Sequence, residues 1–499
     1  MKKRLLLCLI TLLALVPAGA RVPHYPFVRG DLNTLEMPAG ASPTYNRFLR
    51  KLDTLIATGG VDVRVLHVGG SHVQGGTWSD RLRRNFLSLR YGADGGRGLV
   101  FPFSAAGTNT PVSGVDARML VIDRQSDDPL VGVMGSKWRN KWNFLAERLG
   151  VFVCNGFKRD TLFKIDTGSH GIDIASHPWV KDADVVCLNW VNQGTMSLKS
   201  IKKLADSGKP IVWTMHDMWN CTGVCHYSFE CERYKDLCHS CPLLETKGND
   251  LSTTIQEKKR RLYEQVSIHF VAVSHWLADC CKQSKTMRNS QLSVIYNAFP
   301  IQDFDYHRLS GEIKGIPSDK KIFVMGARRL DVEVKGFKEL IETTQYIAQN
   351  KLELASKIHL VLYGDLHNKS LLDKIELPCT YLGSIGSTEQ LSQLYRHSDI
   401  VLSTALYENL PGTLIEGQAS GCLPVTFGKG GQADIVEHLK TGFIAEYKDP
   451  ASVASGIEWA IDANISRQFL HEKVERKFAA SIIARQYIQL FENLLAKPR

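Results

Sequence analysis

The sequence has no low-complexity tract and no short-period repeat, and beyond its first 20 residues it has no apolar run long enough to span a bilayer. These absences exclude a fibrous or repeat architecture and a protein with several membrane spans. What remains is an ordinary globular composition, with 44% hydrophobic and 22% charged residues. At 499 residues, the chain is long enough for two or three domains.

Positive charge is in excess, with a formal net charge of +10 at pH 7. This balance suits an acidic partner such as a nucleotide, a phospholipid surface or nucleic acid, and charge alone does not choose among them. The basic run KKRR at 258–261 predicts a solvated helix face, with a membrane-binding or acceptor-binding role as the alternative.

The N-terminus has the layout of a secretory signal. MKKR precedes the apolar run LLLCLITLLALV, and small residues follow at Ala18 and Ala20. This order predicts a signal peptide over residues 1–20, cut after about Ala20. A retained membrane anchor is the alternative, and a cytoplasmic apolar helix fits the pattern less well.

The twelve cysteines disagree with export. Cys154, Cys187, Cys379 and Cys422 stand singly in apolar contexts and are predicted to be inert core residues. Five more cluster at 221–241. Scattered free thiols suit a reducing compartment better than an oxidising one, so the cysteines and the signal indicate different compartments.

From about residue 180 onward, short β-type runs alternate with helical patterns. The first series of predicted strands is ADVVCLNW, KPIVWTMHD, IHFVAVS and SVIYN, with a helix at 252–266. The second series is KKIFVMGAR, KIHLVLYGD, CTYLGSI, DIVLSTA, LPVTFG and GFIAE, with helices near 336–349, 388–397, 412–420, 451–462 and 480–496. The alternation predicts an α/β protein with two Rossmann-like domains, joined near 298–318, whose parallel sheets are covered on both faces.

The most informative segment is SDIVLSTALYENLPGTLIEGQASGCLPVTF, 398–427. Glu408 follows a predicted strand, at the edge where open α/β sheets bind ligands, and Glu416 lies eight residues later on a helix. The helix begins near Gly412 and Thr413, so its first amides offer a site for an anionic diphosphate. The alternative is a strand–turn–helix with two exposed glutamates.

This segment resembles the E-x7-E motif of the family 4 retaining glycosyltransferases, which have the GT-B fold. The stretch GARRLDVEVKGF, 326–337, is similar to the family's Arg…Lys-Gly diphosphate clamp, which maps onto Arg329 and Lys335. The segment HDMWNCTGVCHYSFECERYKDLCHSCP resembles a cysteine-bearing segment in a bacterial polysaccharide-type branch of these enzymes. The resemblance extends over about 114–499.

The resemblance implies a nucleotide-sugar donor bound between two domains. Arg329 and Lys335 are expected to stabilise the departing diphosphate without a divalent metal, together with Gly412 and Thr413. Glu408 is expected to hold sugar hydroxyls and Glu416 the ribose. In the retaining mechanism the leaving phosphate helps to deprotonate the acceptor, so no protein nucleophile is demanded.

His216 is the second residue to which the resemblance assigns a catalytic role. It follows the predicted strand KPIVWTMHD and faces the cleft by position. In the family, a histidine near this place orients the donor sugar or supports transfer. The alternative is a structural histidine, bonded to backbone beside Asp217.

Four cysteines of the cluster, Cys225, Cys231, Cys238 and Cys241, have the spacing C-x5-C-x6-C-x2-C. The C-x2-C half resembles a zinc knuckle, whereas the other half is wider than usual. A structural zinc ion, disulfides after export and plain reduced thiols are the three interpretations. None of these cysteines has the surroundings of a catalytic nucleophile.

The stretch VLHVGGSHVQGG, 65–76, belongs to a different resemblance. Together with GRGLVFPFSAAGTN it resembles the opening of an SGNH-type (GDSL-like) hydrolase, over about 60–112, with Ser71 in the place of the nucleophile. Gly70 stands where that family has Asp, and the only Asp-x-x-His, Asp236–His239, lies in the cysteine segment. Because serine needs an Asp and a His for activation, Ser71 is predicted to be vestigial.

These resemblances divide the chain into a signal peptide at 1–20, a truncated hydrolase-like segment at 21–112, a truncated N-terminal acceptor domain at 113–305 and a donor domain at 306–478. A C-terminal helix at 479–499 is expected to pack back on the N-terminal domain. The transferase lacks its own first strand–loop–helix unit. We therefore expect residues 63–90 to dock beside the strands at 117–122 and 183–190, because an unpaired sheet edge is costly.

The sequence thus predicts a retaining hexosyltransferase that uses a nucleotide sugar and a glycan or lipid-linked acceptor in polysaccharide or cell-envelope synthesis. Peripheral membrane contact is expected, and nucleic-acid binding is not. One alternative is an impaired fusion that only binds a nucleotide sugar, and another is an exported ester hydrolase. The signal indicates export or anchoring, whereas the transferase chemistry indicates the cytoplasm or the cytoplasmic face of the inner membrane.

Overall fold

The structure is a computed structural model that describes residues 65–69, 98–100, 131–133, 137–309, 313 and 315–496. Several expectations fall outside these residues: the signal at 1–20, the Ser71 nucleophile, the helix after it and the strand at 117–122. In the described part of the chain, no helix is both long enough and apolar enough to cross a bilayer.

The first sheet has seven described strands, all paired in parallel in the order β3-β2-β1-β4-β5-β6-β7. Every residue of the two central strands β4 and β5 is buried, which explains their unbroken apolar runs. The strands are β1 Val65–Gly69, β2 Gly98–Val100, β3 Val131–Val133, β4 Val185–Asn189, β5 Ile211–Met215, β6 His269–Ala272 and β7 Gln291–Val294.

Helices connect the strands of this sheet, and polar caps start several of them. Ser197, Asp250 and Ser274 each accept a backbone N–H in the first turn of the helix that follows. The helices are α1 Lys137–Cys154, α2 Pro178–Asp182, α3 Leu198–Asp206, α4 Leu251–Gln265 and α5 His275–Gln283.

The second sheet has six described strands, again parallel, in the order β10-β9-β8-β11-β12-β13. The strands are β8 Lys321–Arg329, β9 Ile358–Asp365, β10 Cys379–Tyr381, β11 Ile400–Ser403, β12 Leu423–Phe427 and β13 Phe443–Ala445. The helices are α6 Phe337–Asn350, α7 Leu352–Lys357, α8 Thr388–His397, α9 Gly412–Ala419, α10 Pro450–Asp462, α11 Arg467–Phe478 and α12 Ala480–Ala496.

Two parallel α/β sheets confirm the predicted fold class, and a strand occurs within each predicted β-type run. The pattern did not predict α1 or α11. Helix α1 exposes large apolar side chains, among them Trp142 and Leu149, so its sequence lacks the clean amphipathic period of a surface helix.

Strand β1 lies in the interior of the first sheet, between β2 and β4. It pairs in parallel with β4, with Val65 opposite Val185 and Gly69 opposite Asn189, and Val68 is fully buried. This is where the docking hypothesis places it relative to the strand at 183–190.

The end of the chain returns to the first sheet. The backbone N–H of Phe299 donates to the carbonyl of Phe478 at 3.0 Å. The hydroxyls of Tyr487 and Thr214 are hydrogen-bonded at 2.9 Å, which fixes α12 against β5. One buried apolar cluster accordingly contains Val212 of the first sheet together with Tyr487 and Phe491 of α12.

Candidate active site

A cavity of about 530 Å³ opens at the carboxyl ends of β8 and β11 in the second sheet. Its walls include four of the predicted site residues, Lys335, Glu408, Gly412 and Thr413. They come from a turn after β8, the loop after β11 and the start of α9. Parallel sheets bind their ligands at this edge, so residues 77 positions apart from Lys335 to Thr413 converge where a ligand is expected.

Lys335 and Glu408 form an ion pair between Nζ and Oε1, and both side chains are mostly buried, with 31% and 18% exposed. The loop around each residue is fixed by backbone contacts. The N–H of Leu406 donates to the carbonyl of Val334 at 2.9 Å. The site therefore holds its cation and its carboxylate in a defined relation.

Gly336, the residue after Lys335, has no acceptable replacement. Its φ of 69° lies in the left-handed region, and it precedes the first turn of α6. A Cβ at this position would lie 1.7 Å from the carbonyl oxygen of Thr404, whose hydroxyl in turn donates to the carbonyl of Gly336 at 2.8 Å. The Lys-Gly pair is thus needed because the two loops approach each other backbone to backbone.

Helix α9 begins at the cavity wall. Its N-cap residue is Pro411, which provides no side-chain cap, so the first-turn amides near Gly412 and Thr413 have no capping side chain. Such amides carry the positive end of the helix dipole and bind anions. A phosphate group in the cavity would meet these donors on one side and the Lys335 ammonium on the other.

The clamp arginine requires a correction. The residue on the cavity wall is Arg328, whereas Arg329 is 48% exposed and its Nε donates to Asp331 at 2.8 Å. The cause is a register irregularity between Gly326 and Arg329 in the pairing of β8 with β9. A bulge changes the face on which the following side chains lie, so neighbouring arginines cannot be assigned from spacing alone.

Glu416 lies outside this group of cavity residues. It is half-buried on α9, and its Oε1 is 3.8 Å from the position of a Cβ built on Gly412. Its charge acts on a buried tyrosine pair: burial first, and then Glu416, raise the pKa of Tyr363, whose hydroxyl is bonded to that of Tyr395 at 2.7 Å. Glu416 is therefore next to the cavity, one helical turn beyond its wall.

His216 lies at the corresponding edge of the first sheet, directly after β5. It is buried, and its Nε2 is 3.2 Å from Oδ1 of Asn189 at the end of β4. This side-chain contact differs from the backbone bond expected of a purely structural histidine. It does not line the cavity in the second sheet.

The sequence reasoning missed the polar residues around His216. Asp217 accepts hydrogen bonds from Trp190 Nε1 at 2.8 Å and from His226 Nδ1 at 2.7 Å. Burial acts to raise the pKa of Asp217, but the His226 interaction and the hydrogen bonds outweigh it, so the pKa is lowered. Trp190 and His226 are distant in sequence, and no spacing signal pairs them with Asp217.

The two edges are joined at the residue after Glu408. Asn409 accepts a hydrogen bond from the Ser274 hydroxyl at 2.6 Å, and its Nδ2 donates to the carbonyl of Met215 at 3.4 Å. The neighbours in sequence of Glu408 and His216 are therefore in direct contact. The loop that carries Glu408 is set by both sheets.

The four cysteines of the C-x5-C-x6-C-x2-C segment line one cavity of about 300 Å³. All described cysteines are free thiols, and among the described residues no group of three or more His, Cys, Asp or Glu is already set to hold a metal ion. Two predicted core cysteines need correction: Cys154 is exposed and Cys379 half-buried, because α1 turns Cys154 to solvent and β10 is an edge strand.

The basic run at 258–261 is not a uniformly solvated face. Lys259 is fully buried, with Nζ 3.9 Å from the ring centre of Trp219 and donating to the carbonyl of the same residue. Burial lowers the pKa of Lys259 to about 8, while the neighbouring thiols, Cys225 first, act in the opposite direction. One position of α4 faces the protein interior, which a count of charges does not reveal.

Comparison with known proteins agrees with this geometry. Residues 310–477 match the family described as "Glycosyl transferases group 1". This region is a glycosyltransferase group 1 domain. It contains the whole cavity and the predicted E-x7-E and Lys-Gly motifs.

Solved structures extend the likeness to the fold of the chain, which is GT-B. A glycosyltransferase from Rickettsia africae has a TM-score of 0.57 at 16% identity and covers 88% of this chain and 100% of its own. The Anabaena protein Alr3699/HepE, solved in complex with UDP, has a TM-score of 0.51 at 15% identity and covers 86% and 100%.

Two curated relatives match the glycosyltransferase group 1 domain and its surroundings. The putative colanic acid biosynthesis glycosyl transferase WcaC of Escherichia coli is 27% identical over 25% of this chain. The capsular polysaccharide biosynthesis glycosyltransferase CapM of Staphylococcus aureus is 23% identical over 45%. The match spans 32% of the first relative and 61% of the second, less than two thirds of either.

Proposed function

We propose that the protein is a retaining glycosyltransferase that moves a sugar from a nucleotide-sugar donor to a glycan or lipid-linked acceptor. The observation that carries the proposal is the cavity at the edge of the second sheet. There the start of α9, Arg328 and Lys335 present positive charge beside the Glu408 carboxylate. A diphosphate next to a hydroxyl-bearing sugar is the ligand that this arrangement fits.

Transfer requires the glycosidic carbon–oxygen bond to the diphosphate to break, which leaves negative charge on the diphosphate. Arg328, Lys335 and the first amides of α9 stabilise that charge in place of a divalent metal. Because these donors are fixed before the reaction by the Leu406–Val334 and Thr404–Gly336 contacts, they need little reorganisation.

Glu408 accepts hydrogen bonds from the hydroxyls of the transferred sugar. Without a donor it is paired with Lys335, and a bound diphosphate draws the ammonium away from it. The new bond forms between the acceptor oxygen and the same sugar carbon, on the face that the diphosphate leaves. The acceptor proton passes to an oxygen of the leaving diphosphate, so no nucleophilic side chain is needed.

His216 and Glu416 support the reaction from outside the cavity wall. The ring of His216 is oriented by Asn189 and reaches the donor sugar from the first sheet. Glu416, one helical turn along α9 from Gly412, binds the ribose of the nucleotide. The acceptor binds along the edge of the first sheet, opposite the donor.

Similarity to proteins of colanic acid and capsular polysaccharide biosynthesis favours an acceptor in surface-polysaccharide assembly. The UDP complex of the Anabaena protein makes UDP-sugars the first donors to test. An impaired fusion that binds donor without transfer is the competing function, because the unit around β1 has a hydrolase-like sequence.

A donor panel with matched variants tests the proposal. Binding and hydrolysis of UDP-, GDP- and ADP-sugars are measured on the wild type, Lys335→Ala, Glu408→Ala and the control Lys338→Ala. Lys338 is 80% exposed and lies outside the cavity wall. Turnover that both cavity variants abolish and the control retains supports the transferase. Binding without turnover supports the donor-binding fusion, and neither binding nor turnover would overturn both.

A further inference from the structure

We propose that Cys225, Cys231, Cys238 and Cys241 bind one structural zinc ion. The four residues come from three separate turns of the chain and line a single cavity. A tetrathiolate set of this kind favours zinc over harder cations, because soft sulphur ligands suit it. Their sulphur atoms are not yet in coordination geometry, so the ion draws the four side chains together.

The C-x2-C turn is already shaped for ligation. The N–H of Cys238 donates to Gln256 Oε1 at 2.7 Å, and the N–H of Cys241 donates to Asp250 Oδ2 at 2.6 Å. Ser240, between them, has a φ of 42°, a left-handed conformation that a side chain other than glycine rarely adopts. These contacts fix a strained turn whose two cysteines lie on the wall of the same cavity.

The segment also needs a covalent or coordinate link. Between Thr222 and Asp250 the only regular element described is one turn of 3₁₀ helix, Arg233–Lys235. Irregular segments that cannot form a core of their own are usually held by disulfides or metal ions. No disulfide joins the described cysteines.

Nearby positive charge matches the charge of the site. Four thiolates around Zn²⁺ carry a net charge of about −2. Arg233 lies on the cavity wall, and its Nη1 donates to the carbonyl of Ser240 at 2.6 Å. Lys259 is buried nearby under Trp219, and a buried ammonium is stable only where negative charge or well-placed dipoles surround it.

Zinc at this place would also support the donor site, a consequence that rests on the proposed function. Cys225 and Cys231 stand at the two ends of a loop that contacts the second sheet. Phe229 packs edge-on against Tyr407 at 5.3 Å, and the Tyr407 hydroxyl donates to Glu230 at 3.2 Å. Tyr407 immediately precedes Glu408, so an ordered loop holds the donor-site carboxylate in place.

Metal analysis of the full-length protein tests the site. The protein is expressed in a reducing cytosol and purified without chelator, and zinc is measured by mass spectrometry. We expect about one zinc ion per chain, four thiols that react with a thiol reagent only after chelation, and visible bands of a tetrathiolate site after cobalt substitution. A protein with no stoichiometric metal and freely reactive thiols, or one with two disulfides, would overturn the proposal.

Paired variants separate ligands from bystanders. Cys238→Ser combined with Cys241→Ser is expected to lose the metal and to lower Tm by about 5 °C or more. Cys154→Ser combined with Cys379→Ser, outside the cavity, is expected to keep both. If the ligand pair fails to fold, the wild-type zinc and thiol measurements still decide the question. Zinc without transfer would contradict only the proposed function, and transfer without zinc only this site.

Discussion

Lys335 and Glu408, 73 residues apart, form an ion pair on the wall of the donor cavity. The pair stores the cation for the diphosphate and the carboxylate for the sugar in one contact. A ligand that carries a diphosphate competes with Glu408 for the ammonium. The two residues are therefore expected to affect donor binding and transfer differently.

Glu408→Gln is expected to lower kcat by about 10²-fold to 10³-fold without raising KM for the donor. The amide keeps a hydrogen-bonding oxygen but not the charge, and it frees Lys335 for the diphosphate. Steady-state kinetics with the best UDP-sugar measures this, with Glu342→Gln on α6 as the control. A rise in KM with unchanged kcat would contradict a role for Glu408 in transfer.

Arg328 and Arg329 are adjacent, but only Arg328 lines the cavity. Arg328→Ala is expected to reduce kcat/KM by about 10²-fold, because a charged donor near the diphosphate is lost. Arg329→Ala, which breaks only an exposed pair with Asp331, is expected to change it less than about threefold. The reverse order of effects would show that the motif-based choice of Arg329 was right.

Gly336 and Gly383 form a matched pair, with φ values of 69° and 70°. A Cβ at Gly336 would meet the Thr404 carbonyl at 1.7 Å, whereas at Gly383 it would meet nothing within 4 Å. We expect Gly383→Ala to cost about 1 kcal/mol of unfolding free energy through backbone strain alone. Gly336→Ala is expected to cost about 3 kcal/mol and to lower turnover, because the loops must separate.

Urea unfolding measures both glycine variants, with donor turnover as the second readout. Equal losses of stability at the two positions would contradict the close approach of the Gly336 and Thr404 loops. Loss of turnover in Gly383→Ala would mean that the loop after β10 has a part in the reaction.

Glu147 of α1 is fully buried and binds the loop at 167–170. It accepts the backbone N–H groups of Thr167 at 2.8 Å and Ser169 at 3.1 Å, and the hydroxyls of both. Burial acts to raise the pKa of Glu147, but the Ser169 and Thr167 hydrogen bonds outweigh it, so the pKa falls to about 2. Glu147→Gln is expected to cost about 2 to 3 kcal/mol at pH 7.

The same variant has a defined pH dependence. Because the folded pKa lies below the ordinary value of 4.5, ionised Glu147 contributes stability above about pH 4.5 and loses it as the pH falls towards 2. Urea unfolding should therefore show a constant gap between wild type and Glu147→Gln from pH 5 to 7, and a narrowing gap below pH 4.5. The exposed control Glu353→Gln should show a gap below about 0.5 kcal/mol throughout.

The predicted strands after residue 180 were found because each buried parallel strand is a local apolar run. The same reasoning failed for Lys259, whose burial depends on Trp219, forty residues away. It also failed for α1, whose exposed apolar side chains mask the helical period. Local composition predicts an element well only when one environment covers the whole element.

By itself, the sequence determined the alternation of strands and helices, and with it two parallel sheets. It also determined the spacing that places Lys335, Glu408 and the start of α9 at one edge. Only the tertiary structure decided that Arg328 faces the cavity, because a register shift in β8 sets the direction of that side chain. It also decided that Asn409 joins Ser274. Periodicity is a property of neighbouring residues, whereas these contacts depend on how two distant segments meet.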